Sequence, residues 1–131
     1  MSRSGLTDDG EDQWALIRWR GAVKQAINGK RGQAFLKEML AALDALPEKA
    51  LIANKLQDTK YNVCAIGAVG KARGLDMEHI DPEDPKLVAS FFGISEALAA
   101  EIEFMNDEWV YMEPPSQRFD RMRKWIEDKI K

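Results

Sequence analysis

A chain of 131 residues has room for one hydrophobic core and not for two. Its 45% hydrophobic and 31% charged residues are the composition of an ordinary globule, and no apolar run approaches the roughly 18 residues a membrane span requires. The single cysteine, Cys64, excludes an intramolecular disulfide, and with His79 as the single histidine the usual Cys/His zinc sites cannot be assembled.

The opening stretch MSRSGLTDDGEDQW has no apolar segment behind its basic residue, so it does not read as a secretory leader. The expectation is a cytoplasmic protein with a loose lead-in over residues 1–12 and a single helical domain over residues 13–131. Asp8, Asp9, Glu11 and Asp12 place negative charge where a helix start favours it. WALIRWRGAVKQAI then sets Trp14, Ile17, Val23 and Ile27 near one helical face, and Asn28-Gly29 ends that helix. After the turn NGKRG, a second helix repeats Phe35, Leu36, Met39, Leu40, Leu43 and Leu46 at helical spacing until Pro47 stops it. The pair predicts an antiparallel hairpin.

The segment EKALIANKLQDTKYNVC has no helical stripe and carries turn residues at Asp58-Thr59, which leaves room for a short β-hairpin near residues 50–63. CAIGAVGKARG reads as a helix with a small-residue face of Cys64, Ala65, Ala68 and Ala72, closed by Gly74. Asp84 followed by Pro85 is a helix start, opening a segment with Leu87, Val88, Phe91 and Phe92 that runs to Gly93. Ser95 caps the next helix, which reaches about Met105. NDEWVYMEPPS is a loop, and Ser116 opens a last helix whose apolar stripe is Phe119, Met122, Ile126 and Ile130, with Arg118, Arg121, Lys124 and Lys129 largely elsewhere. No repeat at a fixed period is present. The predicted architecture is mainly α, a single compact bundle of about five to six helices.

KLVASFFGISEALAAEI, residues 86–102, has the rhythm of a helix-turn-helix, with Ala89 and Gly93 at the spacing that allows close crossing. DNA binding needs Lys and Arg for phosphates and Arg, Asn or Gln for base edges. The second helix instead offers Glu96, Glu101 and Glu103 toward solvent and no base. A structural helical hairpin is therefore the preferred reading, with a DNA-binding regulator kept as the alternative. Charge is unevenly distributed: residues 75–113 hold eleven acids and one base, a net −10, and the remainder holds eighteen bases and eleven acids, a net +7. This asymmetry concerns partners rather than fold. The acids are either a solvated face or a surface that occupies a basic site on another protein.

Three other chemistries have partial support in the residues. Cys64 near a helix N-terminus could have a lowered pKa, but nothing places His79 beside it as a base, so a buried structural cysteine is preferred. DMEHIDPEDP is acidic but lacks the ligand register and glycine of an EF-hand loop. Glu103 and Asp107, four residues apart, could share a helix face in a divalent metal site, yet no second carboxylate motif completes one. The expectation is a protein without catalytic residues, cofactor or metal. In DEWVYMEPP, the run Trp109, Val110, Tyr111 and Met112 has the composition of a protein interface, or of a lid folded on the core.

WALIRWRGAV, GQAFLKEMLAALDALPEKALIA, CAIGAVGKARG, DPEDP with FGI, and Asn106-Asp107 together resemble an uncharacterised family of small helical proteins encoded by tailed bacteriophages and prophages, over nearly the whole chain after the first dozen residues. The more general motif falls on Cys64, Ala65, Ile66, Gly67, Ala68, Asn106 and Asp107. The resemblance implies a phage accessory protein in the cytoplasm of a bacterial host and brings no catalytic mechanism. The resulting expectation is a non-enzymatic protein that binds and modulates a host protein, such as a defence or nucleic-acid-handling complex, through Asp81, Glu83, Asp84, Glu96, Glu101, Glu103, Glu108, Trp109, Tyr111 and Met112. Structural roles fall to Cys64, Gly67, Ala68, Gly93, Asn106 and Asp107. The partner would carry a basic surface. Nucleic acid is the alternative partner, no membrane is involved, a homo-oligomer is compatible, and a structural phage protein without ligand is a further alternative.

Overall fold

The structure, a computed structural model, describes residues 13–131. The lead-in over residues 1–12 and the acids expected to open the first helix lie outside the described residues. Six helices follow in order: α1 Gln13–Asn28, α2 Lys30–Asp44, α3 Ala65–Ala72, α4 Pro85–Phe92, α5 Glu96–Asp107 and α6 Pro115–Lys129. The chain is all-α, as its periodicity implies.

α1 corrects the sequence reading on one point. At about 100° per residue Trp14 lies about 180° around the helix from Val23. Val23 and Ile27 are buried, Trp19 is half-buried, and Trp14 and Ile17 face outward. The turn is also shorter than expected. Gly29 alone separates α1 from α2, and residues 30–32 already form the first turn of α2. Phe35, Leu36, Met39 and Leu43 then enter the core as their spacing predicts.

Residues 46–63 form no strand. The expected hairpin reduces to an isolated antiparallel bridge between Gln57 and Val63 around an Asp58 turn. There Oδ1 of Asp58 accepts from the amides of Lys60 and Asn62, each at 2.9 Å. Leu51, Leu56 and Val63 are buried from this irregular stretch, so its backbone must find hydrogen bonds outside a helix or sheet ladder. The Leu51 amide donates to the Pro115 carbonyl (3.1 Å) and the Cys64 amide to that of Leu56 (3.3 Å).

Asp84 caps α4 through the Leu87 amide (3.1 Å), with Pro85 in the first turn, and Ser95 Oγ caps α5 through the Leu98 amide (3.1 Å). Between them Gly93 takes the left-handed conformation at φ 73°, which a glycine adopts without steric cost. α5 lies at the centre of the bundle, packed by α1, α3, α4 and α6. α6 buries Phe119, Met122 and Ile126, and α2 and α6 are joined at the surface by a bidentate Arg123–Asp44 pair at 2.7 and 3.0 Å.

Candidate functional site

The site is built around the C-terminal end of α5. The i, i+4 and i+7 spacing of Ala99, Glu103 and Asn106 puts them on one stripe, and that stripe faces inward. Glu103 is therefore only 2% exposed, which corrects its placement as a solvent-facing acid. Its Oε1 faces Cys64 Sγ at 3.6 Å. Cys64 caps α3, its sulfur accepting from the Gly67 amide at 3.3 Å. Burial, with the nearby Glu103 and Asp107 carboxylates, pushes the Cys64 thiol well above its ordinary range, so the surroundings oppose thiolate chemistry.

Gly67 and Ala68 are buried on the same small-residue helix. A Cβ at Gly67 would stand 2.1 Å from the Leu56 carbonyl oxygen, so the close approach of α3 to the irregular segment requires glycine. Asn106 joins these parts: its Oδ1 accepts from the Ala65 amide (3.0 Å) and its Nδ2 donates to the Ile52 carbonyl (3.0 Å). The same Nδ2 donates to Asp107 Oδ1 (2.7 Å), which also accepts from the Asn54 amide (3.1 Å). Glu103 Oε1 is thus turned to the Cys64 thiol, and Asp107 Oδ1 is engaged by two protein donors.

The loop leaving α5 is anchored from below by two arginines. Arg118, expected off the apolar stripe, is buried instead, because it lies one turn before Met122 on the inward face of α6. Its guanidinium donates to the carbonyls of Asn106 (3.0 Å), Leu51 (3.1 Å) and Glu113 (3.2 Å). Arg121 grips the buried Glu113 carboxylate with two bonds of 2.8 Å. Both ends of the loop are thus held at buried polar groups, at Asn106 and at Glu113. Between them Trp109, Tyr111 and Met112 are 59, 90 and 81% exposed. The loop is not a lid on the core, although the Trp109 ring meets Phe104 edge-on at 6.1 Å.

The expected acidic residues differ in exposure. Asp81, Glu83 and Asp84 are exposed in the turns before α4, and Glu96 is exposed at the start of α5. Glu108 is exposed at the other end of this 12-residue helix, about 18 Å away. Glu101 is half-buried, and burial raises its carboxyl pKa against the opposing pull of Lys129 and Arg20. α5, the candidate recognition helix, buries seven of its 12 residues, and Glu96 is its sole fully exposed position. With α1, α3, α4 and α6 packed against it and no base along it, α5 offers a DNA groove little surface and no phosphate contact.

Two further features come from the fold. Among the described residues, the side chains that come within metal-ligand spacing of one another are Asp76, Glu78 and His79, all exposed, with Asp76 Oδ1 already accepting from the Glu78 amide (3.1 Å). The second is a groove of about 710 Å³ between α1, α5 and the end of α6. Trp19, Val23, Ile27, Phe104, Trp109 and Trp125 supply its apolar surface. No sequence signal marks it, because three helices distant in the chain each contribute a few residues.

No protein-family model, curated protein or solved structure matches the chain. No helix among the described residues is long and apolar enough to cross a membrane.

Proposed function

We propose that this protein is a non-enzymatic accessory protein of the tailed-phage type that docks on a host protein and occludes a basic surface of it. The observation that carries the docking part is the loop over residues 109–112: large apolar side chains exposed to solvent on a backbone pinned at both ends. Apolar groups held ready in the open cost little further ordering when a partner covers them, and aromatic and Met side chains are those that dominate protein interfaces. The acids point to the charge of the partner, with Glu108 beside the loop and Asp81, Glu83, Asp84 and Glu96 on the α4 side. The phage and host part rests on the sequence resemblance. Glu103, buried against Cys64, is withdrawn from the contact surface.

The test is a nuclease-treated pull-down from a bacterial host lysate, comparing the tagged protein with its W109A/Y111A and E96K/E108K variants. A basic protein retained by the native chain and lost with W109A/Y111A, at unchanged helical circular dichroism, supports the proposal. Equal retention by all three overturns it, and so does recovery of nucleic acid alone when nuclease is omitted.

A further inference from the structure

The groove between α1, α5 and α6 has a charge pattern opposite to that of the acidic segment. Arg20 and Lys24, one turn apart on α1, and Lys129 at the end of α6 stand exposed along its rim. None of the three makes an ion pair among the described residues, whereas Arg73, Arg118, Arg121 and Arg123 all do. The third wall is fixed in place: Gln33 Nε2 donates to the Ile27 carbonyl (2.8 Å) and to the Lys129 carbonyl (2.9 Å), and its Oε1 accepts from the Lys131 amide (2.9 Å). One glutamine side chain therefore ties the end of α6 to the end of α1.

We infer that this groove is a docking site for an acidic amphipathic helix of a partner protein. The length fits such a guest. The α1 wall runs over residues 19–28, about 14 Å of helix, enough to meet apolar anchors at i, i+4 and i+7. The chemistry fits as well, because the apolar surface made by three tryptophans is rimmed by three cations that carboxylates on the guest's flanks would pair with. Single-stranded nucleic acid would also use cations and aromatic faces. Glu101, set in the same wall, would meet its phosphates, while a helix can turn an uncharged side chain toward that position.

The site is separate from the acids assigned to a basic partner, and its test uses the isolated full chain. The probe is a fluorescein-labelled synthetic peptide of about 14 residues, Leu on one helical face and Glu on its flanks, titrated by fluorescence polarisation beside the same peptide with Lys for Glu and an oligo-dT of similar length. Saturable binding of the Glu peptide, weakened about tenfold or more by R20E/K24E and by added salt, is the expected result. W125A should weaken it without removing the salt dependence. Equal binding of the Glu and Lys peptides, binding of none, or preferential binding of oligo-dT overturns the inference. Circular dichroism of R20E/K24E separates lost binding from lost fold, because both side chains are exposed and neither makes a hydrogen bond or ion pair among the described residues.

Discussion

Two adjacent stretches, residues 103–107 and residues 108–112, invert the usual sorting of side chains. The first buries a carboxylate and an amide at the heart of the bundle, and the second leaves a tryptophan, a tyrosine and a methionine in water. The difference lies in what each stretch has to satisfy. Leu51, Leu56, Val63 and Cys64 are buried from a stretch that has no helix or sheet ladder, so amides and carbonyls there need other partners, and Asn106, Asp107 and Arg118 supply several of them. Residues 108–112 leave the bundle after that task is complete. Apart from the edge-on contact of Trp109 with Phe104, their large apolar side chains are left mostly in solvent.

This contrast can be broken first at Arg118. Replacing it with Met removes its bonds to three buried carbonyls and its 3.6 Å ion pair with Glu113, leaving that carboxylate to Arg121 alone, and should lower stability by about 3–5 kcal/mol in urea unfolding. A loss no larger than that of a surface substitution would mean the arginine is not what holds the loop. Gly67→Ala acts on the same junction through sterics, driving a methyl group into the Leu56 carbonyl, and should cost about 1–3 kcal/mol. At the start of α4, Asp84→Ala removes a helix cap and should cost about 1 kcal/mol, read as a lowered Tm.

A pH experiment addresses the buried side directly. Because the folded Cys64 thiol is pushed above the ordinary value of 9.0, the unfolded chain loses that proton first as pH rises. The contribution is fully present below pH 9.0 and is lost progressively above it, and C64A should flatten this alkaline decline relative to the native chain. The smallest effect belongs to the exposed side: Y111S/M112S should change stability by less than about 0.5 kcal/mol while abolishing partner capture. A large destabilisation there would show that the loop serves the fold rather than a partner.

Much of this fold was legible in the residues. Caps at Asp84 and Ser95, the left-handed Gly93, the core spacing of α2 and the stripe of α6 are local signals, carried by hydrogen bonds and contacts within a turn or two of chain. The candidate site was legible in part. Its exposed loop stands out by composition, whereas Glu103 and Arg118 read as surface charges because most such residues are. Trp14 and Ile17 were misplaced for a related reason, since apolar type alone does not say which face of α1 meets the bundle.

The sequence by itself therefore determined the helices, their ends and the segregation of charge along the chain, since each depends on neighbours within a few residues. Which charges went inside, that α5 became the enclosed helix, and that three tryptophans met at a basic groove were decided by the tertiary structure. Those outcomes depend on which helix faces pack together. A buried carboxylate or guanidinium persists only where partners from distant parts of the chain satisfy it, and that condition exists only in the folded molecule.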